Sequence, residues 1–508
     1  MQEWLKVSLL LCTFGLVREI RPSEPYVSEF LLGPWRNITE ETLNKDVYPV
    51  GTYSYLSQLV IVFLVTDYLK YKPLIVLSVI RLYYSGLSVI PILKIKIKSE
   101  ESLLSEGFNN FNYSSNQFMV NISSKFILNF FVSSNAFLQQ YFFSNNNCLI
   151  TGFCGIIVYS ILLWTESLAW LQVSQFFYGL YMATEVAYYT YMYAKVEADR
   201  YDQVSSWSRA AALVGRFLSG VIAQLLVSFS VMDLRQLNYI TFSSQILSII
   251  WAVLLPGVQR SVYFHREVAV PLTSGRSTSS ASTQVNGVQL LWEHARSAYS
   301  KPVVLGWSLW YAASMAGFIQ VQSYMQLLWQ DIQPHQEVGN LYNGSVEAIL
   351  TVLGALAALL AGRSSKLSKA ALPALPALAA LGQAGGVVAS TLATELWVSY
   401  LGYIVLGVIY HYMITLTSAE IARNLVYDSC FGLVFGINTL VAIILQSVLT
   451  LVVISESGME LGIRDQYRAY AVCYVVLGVI VFLVWLGMFV RRCIQRRKDN
   501  KEIDVVES

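Results

Sequence analysis

Apolar stretches of about 20 residues, each enough to cross a ~30 Å hydrocarbon core as a helix, recur along almost the whole chain. They predict spans at about 4–32, 47–69, one or more within 73–165, then 167–194, 205–230 and 236–256. A second set is predicted near 302–329, 342–362, 370–392, 396–420, 429–454 and 466–490. Between the sets, residues 257–301 include Thr273-Ser274-Gly275-Arg276-Ser277-Thr278-Ser279-Ser280, which is polar, basic and free of apolar periodicity. That composition reads as a linker.

The predicted organisation is therefore a six-helix bundle over 1–256, a linker over 257–301, a second six-helix bundle over 302–490 and a basic tail over 491–508. This is an all-α polytopic membrane protein. Two bundles of roughly six helices resemble the twelve-helix major facilitator architecture, in which the halves rock about a midplane site. Composition agrees: over 508 residues, 55% are hydrophobic and only 13% charged, with a mean hydropathy of +0.51, too apolar for an ordinary soluble fold.

The net charge of +2 says little, but its distribution orients the chain. Lys and Arg gather at Lys70/Lys72, Lys195/Arg200, Arg260/Arg266/Arg276, Arg363/Lys366/Lys369 and the tail from Arg491 to Lys501. The alternate loops are acidic or mixed, so both termini are expected in the cytoplasm. Asn37-Ile38-Thr39, a glycosylation acceptor, falls in the first loop on the side expected outside. One stretch breaks the uniformity. Of 19 asparagines, ten lie between Asn109 and Asn147, and the Asn, Ile, Phe, Lys and Ser bias there is what A/T-rich codons encode. Residues 78–154 read as an atypical insert, translated intron or unusual exon, that loops out while one third helix forms around it.

No GxxxxGK[ST], HExxH or GxSxG occurs, and the six cysteines and four histidines show no metal spacing. The chain is read as a secondary or facilitative transporter with no enzyme chemistry, no cofactor, no metal and no nucleic-acid partner. The informative residues are then ionisable groups inside apolar spans, each costing ~2.5–3.5 kcal/mol at a helix centre on insertion scales. Glu185 leads. Tyr188 and Tyr189 follow it by one helical turn, and a carboxylate beside aromatic faces suits an organic cation. A structural hydrogen bond to a neighbouring helix is the competing reading. Glu347 opens the eighth span, and Glu24 lies between Pro22 and Pro25, where a broken helix frees backbone groups; an ion pair with Arg18 or Arg21 is its alternative. Glu420 and Arg423 read as a local ion pair.

Six motifs carry a family resemblance: Arg21-Pro22-Ser23-Glu24-Pro25, Thr52-Tyr53-Ser54-Tyr55-Leu56, Thr66-Asp67-Tyr68-Leu69-Lys70-Tyr71-Lys72-Pro73, Glu185-Val186-Ala187-Tyr188-Tyr189, Tyr342-Asn343-Gly344 and Phe435-Gly436-Ile437-Asn438-Thr439. In this order they resemble the folate/thiamine carriers, solute carrier family 19. The resemblance implies a vitamin carrier of the plasma membrane working by alternating access in the lipid bilayer. Folate carriers have arginine where Glu185 stands, so the acid here favours cationic thiamine over anionic folate. By resemblance, Glu185 and Tyr188 bind the substrate, with Tyr48, Ser323 and Glu347 contributing, and pyridoxine is a second substrate. Gly51 replaces a tryptophan typical of thiamine carriers, and Ser323 an asparagine. Arg216, mid-way along the fifth span, is read either as a counter-charge to Glu185, as a recogniser of an anionic group, or as an arginine paired away from the pathway. Two other readings stay open: a carrier of an organic anion such as reduced folate or a thiamine phosphate, and a non-transporting receptor of the same fold.

Overall fold

The computed structural model describes residues 3–36, 38–68, 146–195, 201–255, 287–334, 338–364, 374–425 and 431–507. Asn37 and most of the Asn-rich stretch lie outside the described residues. The first bundle comprises α1 (Glu3–Arg18) with its continuation α2 (Val27–Leu32), then α3 (Tyr48–Tyr68), α4 (Asn146–Trp164), α5 (Leu168–Lys195), α6 (Tyr201–Ser228) and α7 (Leu234–Leu254). A short amphipathic helix α8 (Gly287–Tyr299) precedes the second bundle: α9 (Pro302–Ile332), α10 (Asn343–Ser364), α11 (Leu375–Leu392), α12 (Leu396–Asn424), α13 (Phe431–Val453) and α14 (Ile463–Glu507). The last helix runs unbroken from the span into the basic tail. Large apolar side chains such as Leu359, Leu378 and Trp397 point outward, the arrangement of a protein solvated by lipid.

The first span breaks where its prolines require. Pro22 and Pro25 lack N–H donors, and the chain passes through a 3₁₀ turn at Glu24–Tyr26 before helix resumes. Several of the backbone groups left open find side chains from other helices. Ser244 Oγ donates to Val17 O at 2.5 Å, while Tyr181 Oη and Gln245 Nε2 both donate to Arg18 O at 3.2 Å. Arg21 N donates to Ser219 Oγ at 3.0 Å, Ser23 N to Thr241 Oγ1 at 3.3 Å, and Gln326 Nε2 to Glu24 O at 2.8 Å. Irregular backbone at membrane depth is tolerable on those terms.

The two bundles repeat one another in detail. Arg235, second residue of α7, donates to Leu163 O at 2.7 Å at the end of α4, and its guanidinium lies 3.5 Å over the Trp35 ring that follows α2. Arg464, second residue of α14, donates to Thr391 O and Ala393 O at the end of α11 and pairs at 2.5 Å with Asp331 at the end of α9. Each arginine thus caps the carbonyl end of its bundle's third span. The preceding turns match as well, with left-handed backbone at Ser230 (φ 51°) and Glu460 (φ 50°). Such parallel repeats are how major facilitator halves are built.

The third helix takes its first turns from residues 146–154, which composition had set apart. Ile150 and Cys154 are buried there, and Thr151 donates to Thr184 at 2.8 Å. Arg36 donates to Ile161 O and Leu162 O at 3.2 and 2.9 Å, adding a second cap at the far end.

A charge cluster at the break of the first span

The broken first span places Arg18, Glu19, Arg21 and Glu24 within two turns of chain, facing α5 and α6. Glu19, with 2% of its side chain exposed, is the hub. It pairs with Arg21 Nη2 at 2.7 Å, with Arg216 Nε at 2.7 Å and with Arg18 Nη1 at 3.4 Å. Arg21 also bonds Glu24, whose carboxylate accepts from Tyr178 Oη at 3.5 Å. Arg18 Nη2 reaches Glu185 Oε2 at 3.6 Å, and its guanidinium stacks 4.7 Å over the Tyr181 ring. Three guanidiniums thus face three carboxylates, and the cluster is neutral as a whole. The buried members hold one another, while Glu185, Glu24 and Arg216 keep 27%, 33% and 42% of their side chains exposed.

Glu24, Glu185 and Arg216 are therefore brought together: Glu24 through the ion pair with Arg21 that the sequence offered as its alternative, Glu185 and Arg216 through Arg18 and Glu19, which sequence reasoning did not place against them. Glu185 has a counter-charge, and it is Arg18. Arg216 is not bonded to Glu185; it bonds Glu19. The signal for the hub was present in the sequence, since Arg18, Glu19 and Arg21 put three ionisable residues into one apolar span.

The other candidates surround this cluster at differing depths. Tyr188 is buried, donates to Leu11 O at 3.0 Å and packs on Phe14, so its hydroxyl joins α5 to α1. Tyr48 bonds Ser28 at 2.7 Å and packs edge-on against Tyr324 of the second bundle. Glu347 accepts from Tyr403 Oη at 2.9 Å. Ser323 is exposed, its hydroxyl returned to Ile319 O at 2.7 Å. A Cβ at Gly51 would come 2.7 Å from Gln175 Oε1, so the Gln175 side chain occupies the space a larger residue would need. The Glu420–Arg423 pair forms at 2.6 Å.

Above the cluster, toward the end that carries Glu460, the bundles meet. Tyr26 Oη donates to Gln224 Oε1 at 3.0 Å and to Leu341 O at 3.2 Å, and Gln224 Nε2 donates to Leu341 O at 2.9 Å. Asn343 Nδ2 donates to Glu29 Oε1 at 2.8 Å and its Oδ1 accepts from Tyr400 at 2.6 Å. Backbones touch here: a Cβ on Gly344 would lie 2.7 Å from Gly220 O. These contacts shut the Glu460 end between the two bundles.

Comparison with known proteins decides the family. The reduced folate carrier family model matches residues 2–99 and 130–469. The chain belongs to this family, solute carrier family 19. The unmatched residues 100–129 fall inside the 78–154 segment, whose remaining residues the family model does match. Among the family's relatives, human thiamine transporter 1 is 30% identical over 94% of this chain and 89% of its own. Folate-like transporter 2 of Caenorhabditis elegans is 32% identical over 97% and 98%, and the human reduced folate transporter is 28% identical over 97% and 74%. Solved structures show the fold: the Escherichia coli xylose transporter XylE superposes with a TM-score of 0.51 at 12% identity, covering 95% of this chain and 98% of its own. A bacterial Spinster homologue gives 0.53 at 10% identity, with coverages of 95% and 97%. This carrier is thus a multi-pass transporter of the major facilitator fold for a small molecule, not an enzyme.

Proposed function

We propose that the protein imports thiamine across the plasma membrane by alternating access, with both termini in the cytoplasm. The observation that carries this reading is Glu185: an intramembrane carboxylate, partly exposed, whose one ion pair among the described residues spans 3.6 Å and leaves it available to a cation. A thiazolium is weakly hydrated and gains both Coulomb attraction and aromatic contact in such a place. Tyr188, Tyr48, Ser323, Glu347 and Glu24 complete the proposed site, and pyridoxine is the proposed second substrate. Membrane potential acting on a cation supplies a driving force of ~2.3 kcal/mol per charge per 100 mV.

Radiolabelled thiamine uptake in transporter-deficient cells tests this. Glu185→Gln lowers uptake at least ten-fold and Glu185→Arg abolishes it, while both proteins reach the surface; unchanged uptake in both variants removes Glu185 from the site. The exposed guanidinium of Arg216 favours a second reading, an organic anion such as a thiamine phosphate. In that case Arg216→Gln abolishes transport of the phosphate ester and leaves thiamine uptake intact.

A further inference from the structure

Arg18 is held unlike the other two arginines of the cluster. Arg21 and Arg216 each make a 2.7 Å bond to Glu19, whereas the contact from Arg18 to Glu185 spans 3.6 Å, and Arg18 Nη2 has no hydrogen-bond partner among the described residues. It is a charge pair without a bond. Arg18 also has somewhere to remain if the pair is broken, since Glu19 lies 3.4 Å from Nη1 and the Tyr181 ring 4.7 Å from the guanidinium carbon. Glu185, by contrast, keeps 27% of its side chain exposed.

We infer that Arg18 is a tethered stand-in for the substrate's cation. With the site empty, Arg18 neutralises Glu185, and the bundles can close over a neutral cluster; an arriving cation takes Glu185 and Arg18 falls back on Glu19 and Tyr181. Either way the carboxylate crosses the occluded state paired, which a buried charge requires. The empty carrier can then return unaided, so net uptake needs no counter-substrate. The inference rests on Glu185 as the cation-binding carboxylate. Without Arg18 the cluster holds Arg21 and Arg216 against Glu19, Glu24 and Glu185, an excess of one negative charge that only bound substrate relieves.

The test reads the empty protein first. Leu341→Cys places a thiol in the shut Glu460 end, where Leu341 is 5% exposed, and its reaction with a maleimide in purified protein measures how often that end opens. Arg18→Gln is expected to slow labelling at least ten-fold without ligand, Arg18→Lys to restore it, and Arg18→Gln with Glu185→Gln to restore it too, because the double variant is neutral again. A merely structural role predicts that the double variant is worse than either single one. In proteoliposomes, Arg18→Gln retains thiamine exchange but loses net uptake. Equal labelling in wild type and Arg18→Gln, or a folded double variant that stays slow, overturns the inference. Wild-type protein that labels as expected yet moves no thiamine leaves the charge switch standing and removes thiamine as the substrate.

Discussion

Glu19 shows how one residue can set the character of a site without facing the substrate. Three guanidiniums converge on its carboxylate at 2.7, 2.7 and 3.4 Å, in a place where water is nearly excluded. Removing one member of a buried ion pair costs about 3–5 kcal/mol, because the partners are left charged and unpaired. Glu19→Gln is therefore expected to lower the thermal unfolding midpoint of the purified protein by that order of stability, well beyond what Glu24→Gln does. An unchanged midpoint would show that Arg18, Arg21 and Arg216 find other partners.

At the scale of elements, the contacts that matter are those where α6 and α10 cross. Gly220 and Gly344 let the two backbones touch, and a side chain at position 344 would meet Gly220 O and Gln224 N, which belong to backbone and cannot turn aside. Gly344→Val is expected to hold the Glu460 end open, so that Leu341→Cys labels faster and net transport is lost while ligand binding persists. Slower labelling would place the closure elsewhere. Capping carries a smaller share: Arg235→Ala frees a carbonyl at the end of α4 and costs about 1–3 kcal/mol, since Arg36 holds the neighbouring carbonyls.

Across the whole molecule, a surface bridge ties the bundles at the same end. Lys45 of the first half donates to Glu41 at 2.8 Å and to Glu460 of the second half at 2.6 Å. Its hydrogen bonds to Glu41 and Glu460 hold Lys45 above the usual lysine range, and its bond to Glu41 holds that carboxyl below the usual range. The Glu41 contribution is full above its unfolded value of about 4.3 and lost as pH falls through the lower folded one; that of Lys45 is full below about 10.4 and lost as pH rises through the higher folded one. Acidification below about pH 4 should thus break the Lys45–Glu41 bond, so the fall in the unfolding midpoint from pH 7 to 3 is slightly larger in wild type than in Glu41→Gln, the effect being small because the pair is exposed. An equal fall in both proteins would show that the Lys45–Glu41 bond contributes nothing to stability.

The helical spans and the break at Pro22 and Pro25 were legible, because hydropathy and proline act locally, whereas the helix Gly287–Tyr299 within the 257–301 stretch was not. The repeat between Arg235 and Arg464 was not, since two isolated arginines have no common sequence context. The site was half legible: Glu24, Glu185 and Arg216 stand out as charges in apolar runs, but which arginine meets which carboxylate depends on how α1, α5 and α6 pack. The family match leaves 100–129 unpaired, so a chain lacking those residues is expected to transport as well as the full one, measured by uptake per molecule at the surface.

The most direct test is competition at equal concentration for uptake of radiolabelled thiamine by the wild-type protein. Unlabelled thiamine should displace the label and folate should not. Stronger displacement by folate would contradict the assignment of Glu185 to a cation and place the carrier with the anion transporters of its family.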